Sequence, residues 1–461
     1  MSGVDLTRPA NYHPAYLLAI AQDGTQTNTA ATLDASYRLQ GALLRSVDAG
    51  VRANDYTRRS FGFVRFYCID GCRSGKTLAE AAAPLLREVP AAESRDVGPY
   101  LAYATEAVRR QAALRAMYGL PARDANMPEQ DQFNNEKTGA AYVKLNYELD
   151  LAGKPVSGNL GARYVVTALR GRSYGANAAG VPTPQGSAAT RRDLLPSFNA
   201  RIGLRDDLAL RLAASTTLGQ LNFSYLNPAV NIGNQVQRDA QAGNPDLKPY
   251  TSRNVDLSLE HYSSGHGMAY LSAFAKLADG FVQTVVEKRM IDGDEYNVST
   301  YKSAGTARIK GVEIGYQQFF DSLPAPFKGL GLQANYTYVD ARAPSAVAGQ
   351  TVPLEGLSRN SCNLIGVYEQ GRLKARLAYN YRSGFVVTTS SSGAQGVPVL
   401  ARPLGTLDFS LGYELAGGLS LVLDGVNIGG ARSAQYYGNT RIPMHYQPLN
   451  KRYGVQVRYV F

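Results

Sequence analysis

With 461 residues, 44% of them hydrophobic, the chain is too apolar for a disordered polymer and long enough for several soluble domains or one large barrel. Its longest apolar block, Tyr16 to Ala21, falls far short of the roughly 18–20 residues of a membrane-spanning helix, so a bilayer could be crossed only by strands. The 48 Lys and Arg against 37 Asp and Glu leave a net charge of +11. These cations are spread over alternating positions without a nucleic-acid motif, and no nucleic-acid partner is expected.

In chain order, Met1 to Asp5 leads into polar sequence with no apolar leader core, so the chain is expected to start downstream of a secretion signal. The first strands are broken by a short link at Gln40–Arg45 and then by the longest link, Arg58–Asn135. Within that link Cys68 and Cys72 flank Asp70-Gly71. In an oxidising compartment this spacing predicts a disulfide stapling a small loop. Lys76 to Leu86 and Tyr100 to Tyr118 are rich in Ala, Leu, Arg and Glu and predict helices inside a folded extracellular loop. The stretch Gly71 to Thr77 (GCRSGKT) has three residues between its first Gly and the Gly-Lys pair, where a phosphate loop needs four, so no nucleotide site is assigned.

Period-two alternation then dominates, the mark of strands with two unlike faces. Val255, Leu257 and Leu259 oppose Asp256, Ser258 and Glu260. Leu332, Ala334, Tyr336 and Tyr338 oppose Gln333, Asn335 and Thr337. Leu373, Ala375, Leu377, Tyr379 and Tyr381 oppose Lys374, Arg376, Ala378 and Asn380, and Leu407 to Tyr413 repeats the pattern. Cys362 sits in one such strand as a small apolar residue. Short links at Leu151–Val156, Arg205–Asp207, Ser263–Gly267, Gln370–Gly371 and Ala416–Gly418 contrast with long ones at Leu221–Lys248, Ala341–Gly356, Val387–Arg402 and Gly429–Pro448. Membrane barrels alternate in this way, with tight periplasmic turns on one rim and long extracellular loops on the other. The fold class is therefore all-β: an antiparallel transmembrane β-barrel of the outer membrane, with about 16 strands, long extracellular loops and some helix in them.

Tyr336, Tyr338, Tyr379, Tyr381, Tyr453 and Tyr459 cluster near strand ends, as a headgroup-level girdle requires, and with no Trp in the chain Tyr must serve throughout. The final strand alternates Tyr453, Val455, Val457, Tyr459 and Phe461 with Gly454, Gln456, Arg458 and Val460. It looks like the terminal signal that outer-membrane barrels present to the barrel assembly machinery. His13, His261, His266 and His445 are scattered without metal-ligand spacing or a nucleophile partner. No catalytic residue, metal or cofactor is assigned, and the chain is not expected to be an enzyme.

Three segments resemble the TonB-dependent receptors. Gly243-Asn244-Pro245-Asp246-Leu247-Lys248-Pro249 is similar to that family's NPxLKP segment, with Tyr250 where Glu is usual. Lys310-Gly311-Val312-Glu313-Ile314-Gly315-Tyr316 resembles its KGxE strand opening, and Gly425-Val426-Asn427-Ile428 its late GxxNL stretch. The resemblance implies a barrel of about 22 strands filled by an N-terminal plug that engages a periplasmic energy-coupling protein. Residues 1–461 then correspond to the C-terminal barrel portion with no plug domain, and residues 58–135 to a long extracellular loop. A truncated form of this kind is expected not to transport alone. The implied cargo is a small-molecule iron chelate or an oligosaccharide. The implied partners are outer-membrane lipid, the assembly machinery and, in the full-length parent, the TonB system. A passive porin-like channel is the competing expectation.

Overall fold

In the computed structural model the chain is described apart from residues 1–3, 13–15, 69–85, 91–97, 105, 107–114, 117–118, 122–123, 129–130, 177–180, 235–237, 264–266, 346–348, 390–396 and 461. One antiparallel sheet of sixteen strands dominates, with fifteen on a single path and Thr351–Pro353 off it. In path order they are β1 (Tyr16–Arg38), β2 (Leu44–Cys68), β3 (Gln132–Leu151), β4 (Lys154–Ala176) and β5 (Pro182–Arg205). Next come β6 (Leu208–Gly219), β7 (Tyr250–Ser263), β8 (Gly267–Asp279), β9 (Ala307–Phe319) and β10 (Leu330–Pro344). The path ends with β11 (Asn360–Gln370), β12 (Leu373–Arg382), β13 (Leu404–Glu414), β14 (Leu419–Val426) and β15 (Arg452–Tyr459). Sequential wall strands are spatial neighbours throughout, joined by tight turns on one rim and by longer connections on the other. Among the described residues β1 and β15 are not paired with each other.

Register converts the alternation into two continuous faces. One row runs Leu210, Leu259, Leu271, Ile314, Tyr336, Cys362, Tyr381 across β6 to β12. The adjacent row runs Arg211, Ser258, Ser272, Glu313, Thr337, Ser361, Arg382. Apolar side chains stand exposed on the first face: Leu271 is 52% and Ile314 53% accessible. A water-soluble sheet would bury that face, whereas a barrel wall offers it to lipid and turns the polar face to its lumen. On β3–β5 five consecutive outward rows, from Leu149, Val156 and Ile202 up to Ala141, Tyr164 and Leu194, carry no charge. From 149 to 141 they take up nine residues of β3, the number with which a tilted strand crosses the apolar core of a bilayer.

The packed apolar clusters lie at the long-connection rim. Leu221, Leu226 and Leu247 are buried together against Leu169, Phe223, Tyr225, Tyr250, Val282 and Tyr301. The strands Val230–Asn234, Asp239–Ala242, Phe281–Ile291 and Asp294–Ala304 form a second sheet, with Ala240, Ala242, Tyr296 and Val298 as its core. A third sheet comprises Phe385–Thr388, Val399–Ala401, Arg432–Tyr437 and Pro443–Pro448.

Several expected boundaries move. β3 starts at Gln132, where its pairing with β2 begins at Ser60, and β2 continues ten residues past Arg58 to Cys68 because residues 61–68 remain paired with residues 16–23 of β1. Tyr100–Tyr103, expected as helix, is a strand paired with Leu86–Val89. Four residues cannot nucleate a helix, while a neighbouring strand satisfies their backbone directly. Helical backbone occurs at Glu106, Arg115 and Ala116; of the helix expected over Lys76 to Leu86, residues 76–85 lie outside the described residues and Leu86 opens a strand. The links expected at Leu221–Lys248, Val387–Arg402 and Gly429–Pro448 carry the strands of the two smaller sheets. The 177–181 connection is short although it lies on the long-connection rim, because β4 and β5, at 23 and 24 residues, themselves rise as the projection. Cys68 ends β2, but Cys72 and so the Cys68–Cys72 pairing lie outside the described residues. Tyr453, Val455, Val457 and Tyr459 alternate along β15, and Phe461 lies outside the described residues.

The KGVEIGY segment shows why its residue types are needed. On β9 Gly311, Glu313 and Gly315 share the lumen face with Phe274 and Tyr270 of β8, which pair with Gly311 and Gly315. A Cβ at Gly315 would lie 2.0 Å from Tyr270 Cε1, so the ring occupies the space that the glycine leaves. The Tyr270 hydroxyl donates to Glu313. Gly315→Ala is expected to displace the ring, break that hydrogen bond and cost about 1–3 kcal/mol in bilayer unfolding titrations. Gly366→Ala, where no atom lies within 4 Å of the new Cβ, should be close to neutral. Equal effects of the two would refute the ring-seat role.

Candidate lumen-face cavity at the long-connection rim

Above the uncharged rows the lumen faces of β3, β4 and β5 meet the 220–249 connection and enclose a cavity of about 520 Å³. Strand parity fills its wall: Glu136 and Thr138 from β3, Arg163, Val165 and Thr167 from β4, and Arg191 and Asp193 from β5. Gln220, Leu221, Leu226 and Pro249 close it from the connection.

The NPDLKP segment holds that connection down. The Asn244 backbone amide donates to the Tyr225 carbonyl (2.7 Å) and its side-chain amide to the Tyr301 carbonyl (2.8 Å). The Asn244 side-chain oxygen accepts from the Asp246 amide (3.0 Å), a turn made by the asparagine itself. Leu247 is 1% exposed, a burial that stabilises the seat by about 1.5–3 kcal/mol. Arg191 reaches from β5 to donate to the Leu247 carbonyl. The GVNI segment works similarly at the other end. Gly425 makes room for the Phe409 ring, whose nearest atom would be 2.1 Å from a Cβ. Asn427, at φ 53°, donates to the Leu449 carbonyl (2.9 Å) and accepts from the Ala431 amide (2.8 Å). Asn tolerates that left-handed backbone better than other residues with a Cβ.

The electrostatics inside the cavity are uneven. Glu136 is 8% exposed and accepts from Gln220 Nε2 (2.9 Å). Burial pushes its carboxyl above the usual range, opposed by hydrogen bonds from Gln220 and Thr138 and by the Arg191 charge. Burial also lowers the Arg191 guanidinium, opposed by Asp193, Glu136 and Asp246. Asp193 Oδ2 is buried with no hydrogen-bond partner among the described residues. Arg163, opposite Tyr142 and Leu195 in register, likewise has no ion-pair partner among them. The cavity thus presents one uncommitted cation and one uncommitted acceptor toward the lumen. Among the described residues no cluster of metal-ligating side chains occurs.

The sequence matches the family described as TonB dependent receptor-like, beta-barrel over residues 88–428. The chain belongs to that family. Among curated proteins none matches it. The fold is similar to the ferric-catecholate import receptor of E. coli K12, at TM-score 0.60 and 14% identity over 95% of this chain and 55% of that one. The ferric yersiniabactin uptake receptor of Yersinia pestis gives 0.57 and 14%, over 96% and 55%. A siderophore receptor of Acinetobacter baumannii gives 0.56 and 11%, over 95% and 56%. The chain therefore spans a little over half the length of these receptors. In this TonB-dependent receptor barrel the three motif segments act mechanically, seating rings and fastening loops. The cavity residues Glu136, Arg163, Arg191, Asp193 and Gln220 belong to no motif. Their only sequence signal is parity: 163, 191 and 193 fall on the face opposite Tyr164, Arg192 and Leu194.

Proposed function

We infer that this chain forms the wall of an outer-membrane receptor for uptake of a small polar ligand, which it contacts at the β3–β5 cavity. The observation carrying this reading is the registered pair of faces, apolar outward and polar toward a lumen, with long connections gathered on one rim above the cavity. The short-turn rim then faces the periplasm, and in the whole receptor the TonB system supplies the energy for uptake. The terminal segment with Tyr453, Val455, Val457, Tyr459 and Phe461 serves as the signal to the assembly machinery.

The free Arg163 favours an anionic chelate over a neutral oligosaccharide as ligand. Calorimetric titration of the detergent-solubilised chain with a ferric tris-catechol complex and with maltohexaose tests this. Binding of the chelate is expected, weakened about tenfold by Arg163→Gln, the loss of one charge-assisted contact. Arg163 is the sharper choice because Arg191 also fastens the connection. Binding of the sugar alone, or chelate binding indifferent to Arg163, would count against the assignment.

A further inference from the structure

Asp193 lines the β3–β5 cavity, yet its Oδ2 is buried with no hydrogen-bond partner among the described residues. Its neighbours explain why. Across the register it faces Val165, and Leu195 follows it on the same face of β5. Arg191 precedes it on that face but turns its guanidinium to the Leu247 carbonyl, with the Pro245 carbonyl at 3.5 Å. Arg163 stands diagonally across, opposite Leu195, and no ion pair joins it to Asp193 among the described residues. β5 is paired with β6 only from Ser197 to Arg205, so at Asp193 the two strands have parted and the cavity opens between them. Glu136, the other acid of the cavity, is already engaged by Gln220 Nε2 (2.9 Å).

We propose that Asp193 is a specificity-determining residue that receives an ammonium group of the ligand, while Arg163 holds the ligand's anionic part. The ligand class is then a zwitterionic chelate, an anionic metal-binding head with an ammonium arm. The proposal rests on the reading of this cavity as the ligand contact and adds the second charge. A buried carboxylate oxygen without a donor is destabilising, and the apolar Val165 and Leu195 offer none. Only the cavity side can supply one. A neutral hydroxyl or amide there would donate a hydrogen bond but leave the charge uncompensated, whereas an ammonium supplies both. A ligand bearing negative charge alone would meet Asp193 as a repulsion. Diagonal positions on neighbouring strands lie about 7–8 Å apart, a span that a two-carbon arm on a catechol ring covers.

Calorimetric titration of the detergent-solubilised chain compares the ferric complexes of an aminoethyl-catechol and of its N-acetyl derivative. The acetyl form keeps the chelating ring and an N–H donor and loses only the charge. The amine complex should bind about tenfold tighter, the difference made by one charge-assisted contact. Asp193→Asn should abolish that preference, whereas Arg163→Gln should weaken both complexes and keep it. Equal affinity for the two complexes, or a preference that survives Asp193→Asn, overturns the proposal and leaves the receptor reading intact. Loss of the preference on Arg163→Gln overturns the division of charges between the two residues. If neither complex binds the unsubstituted chain, the receptor reading of the cavity falls together with the proposal. The comparison of the two complexes on the unsubstituted chain needs no substitution, so it decides the question even where Asp193→Asn fails to fold.

Discussion

Leu271→Arg is expected to destabilise the wall in a phospholipid bilayer by about 2–4 kcal/mol, while Ser272→Arg, one residue along β8, should change it by less than about 1 kcal/mol. Leu271 stands in the row between Leu259 and Ile314 and is 52% exposed. In lipid an arginine there must desolvate or snorkel past its neighbours. Ser272 pairs with Ser258 and Glu313 on the polar face, where its hydroxyl donates to Ser258 (2.9 Å) and an arginine finds both water and the Glu313 carboxylate. Urea unfolding titrations in bilayers measure the difference. A soluble sheet that buried the Leu271 face against a core would show the same order, so the equal-cost outcome is the one that decides against two unlike faces. Equal costs at the two sites would therefore refute the barrel-wall orientation.

The second large effect lies in the connection between β2 and β3. Asp124 and Arg115 have side chains only 2% and 4% exposed and form an ion pair. The Tyr67 hydroxyl donates to the same carboxylate, and Arg65 Nε lies 3.8 Å from it. Arg115 also donates to the Pro121 carbonyl (2.8 Å). The Arg115 hydrogen bond holds the Asp124 carboxyl below the usual carboxylate range in spite of its burial, with Tyr67 and Arg65 adding to the effect. Asp124→Ala leaves a buried guanidinium without its counter-charge and should loosen the connection by about 3–5 kcal/mol. Susceptibility to limited proteolysis in this connection, with the wall still resistant, reads it out. The pH dependence follows the same pair. Because the folded value lies below the unfolded one, the contribution is complete above the unfolded value near 4 and fades as pH falls through the folded value. The Asp124→Leu/Arg115→Met double substitution should recover much of the loss, since apolar replacement of a whole buried pair is often tolerated. If Asp124→Ala left proteolysis unchanged, the pair would have no fastening role.

Both effects concern faces and partners, and the two were not equally legible beforehand. Alternation such as Val255, Leu257 and Leu259 against Asp256, Ser258 and Glu260 reveals that a strand has two unlike faces, because side chains of a strand point alternately by geometry alone. Turn chemistry at Asp206-Asp207 or Gly371 marks where strands reverse. The motif segments announced the family, but not that Gly315 vacates space for Tyr270 or that Leu247 is the buried foot of a loop. Those roles depend on residues 45 and 78 positions away, Tyr270 and Leu169.

The amino-acid sequence by itself determined the all-β class, the alternation of short and long connections and the side of each strand that is apolar. Each of these is set within a few residues by local backbone geometry. Only the tertiary structure decided where β2 stops, that Tyr100–Tyr103 is a strand, and which cations meet acids. It alone placed Arg163, Arg191 and Glu136 around one cavity and left Asp193 Oδ2 buried there without a donor among the described residues. Contacts of this kind are made across strands, where register rather than spacing in the chain sets which side chains meet.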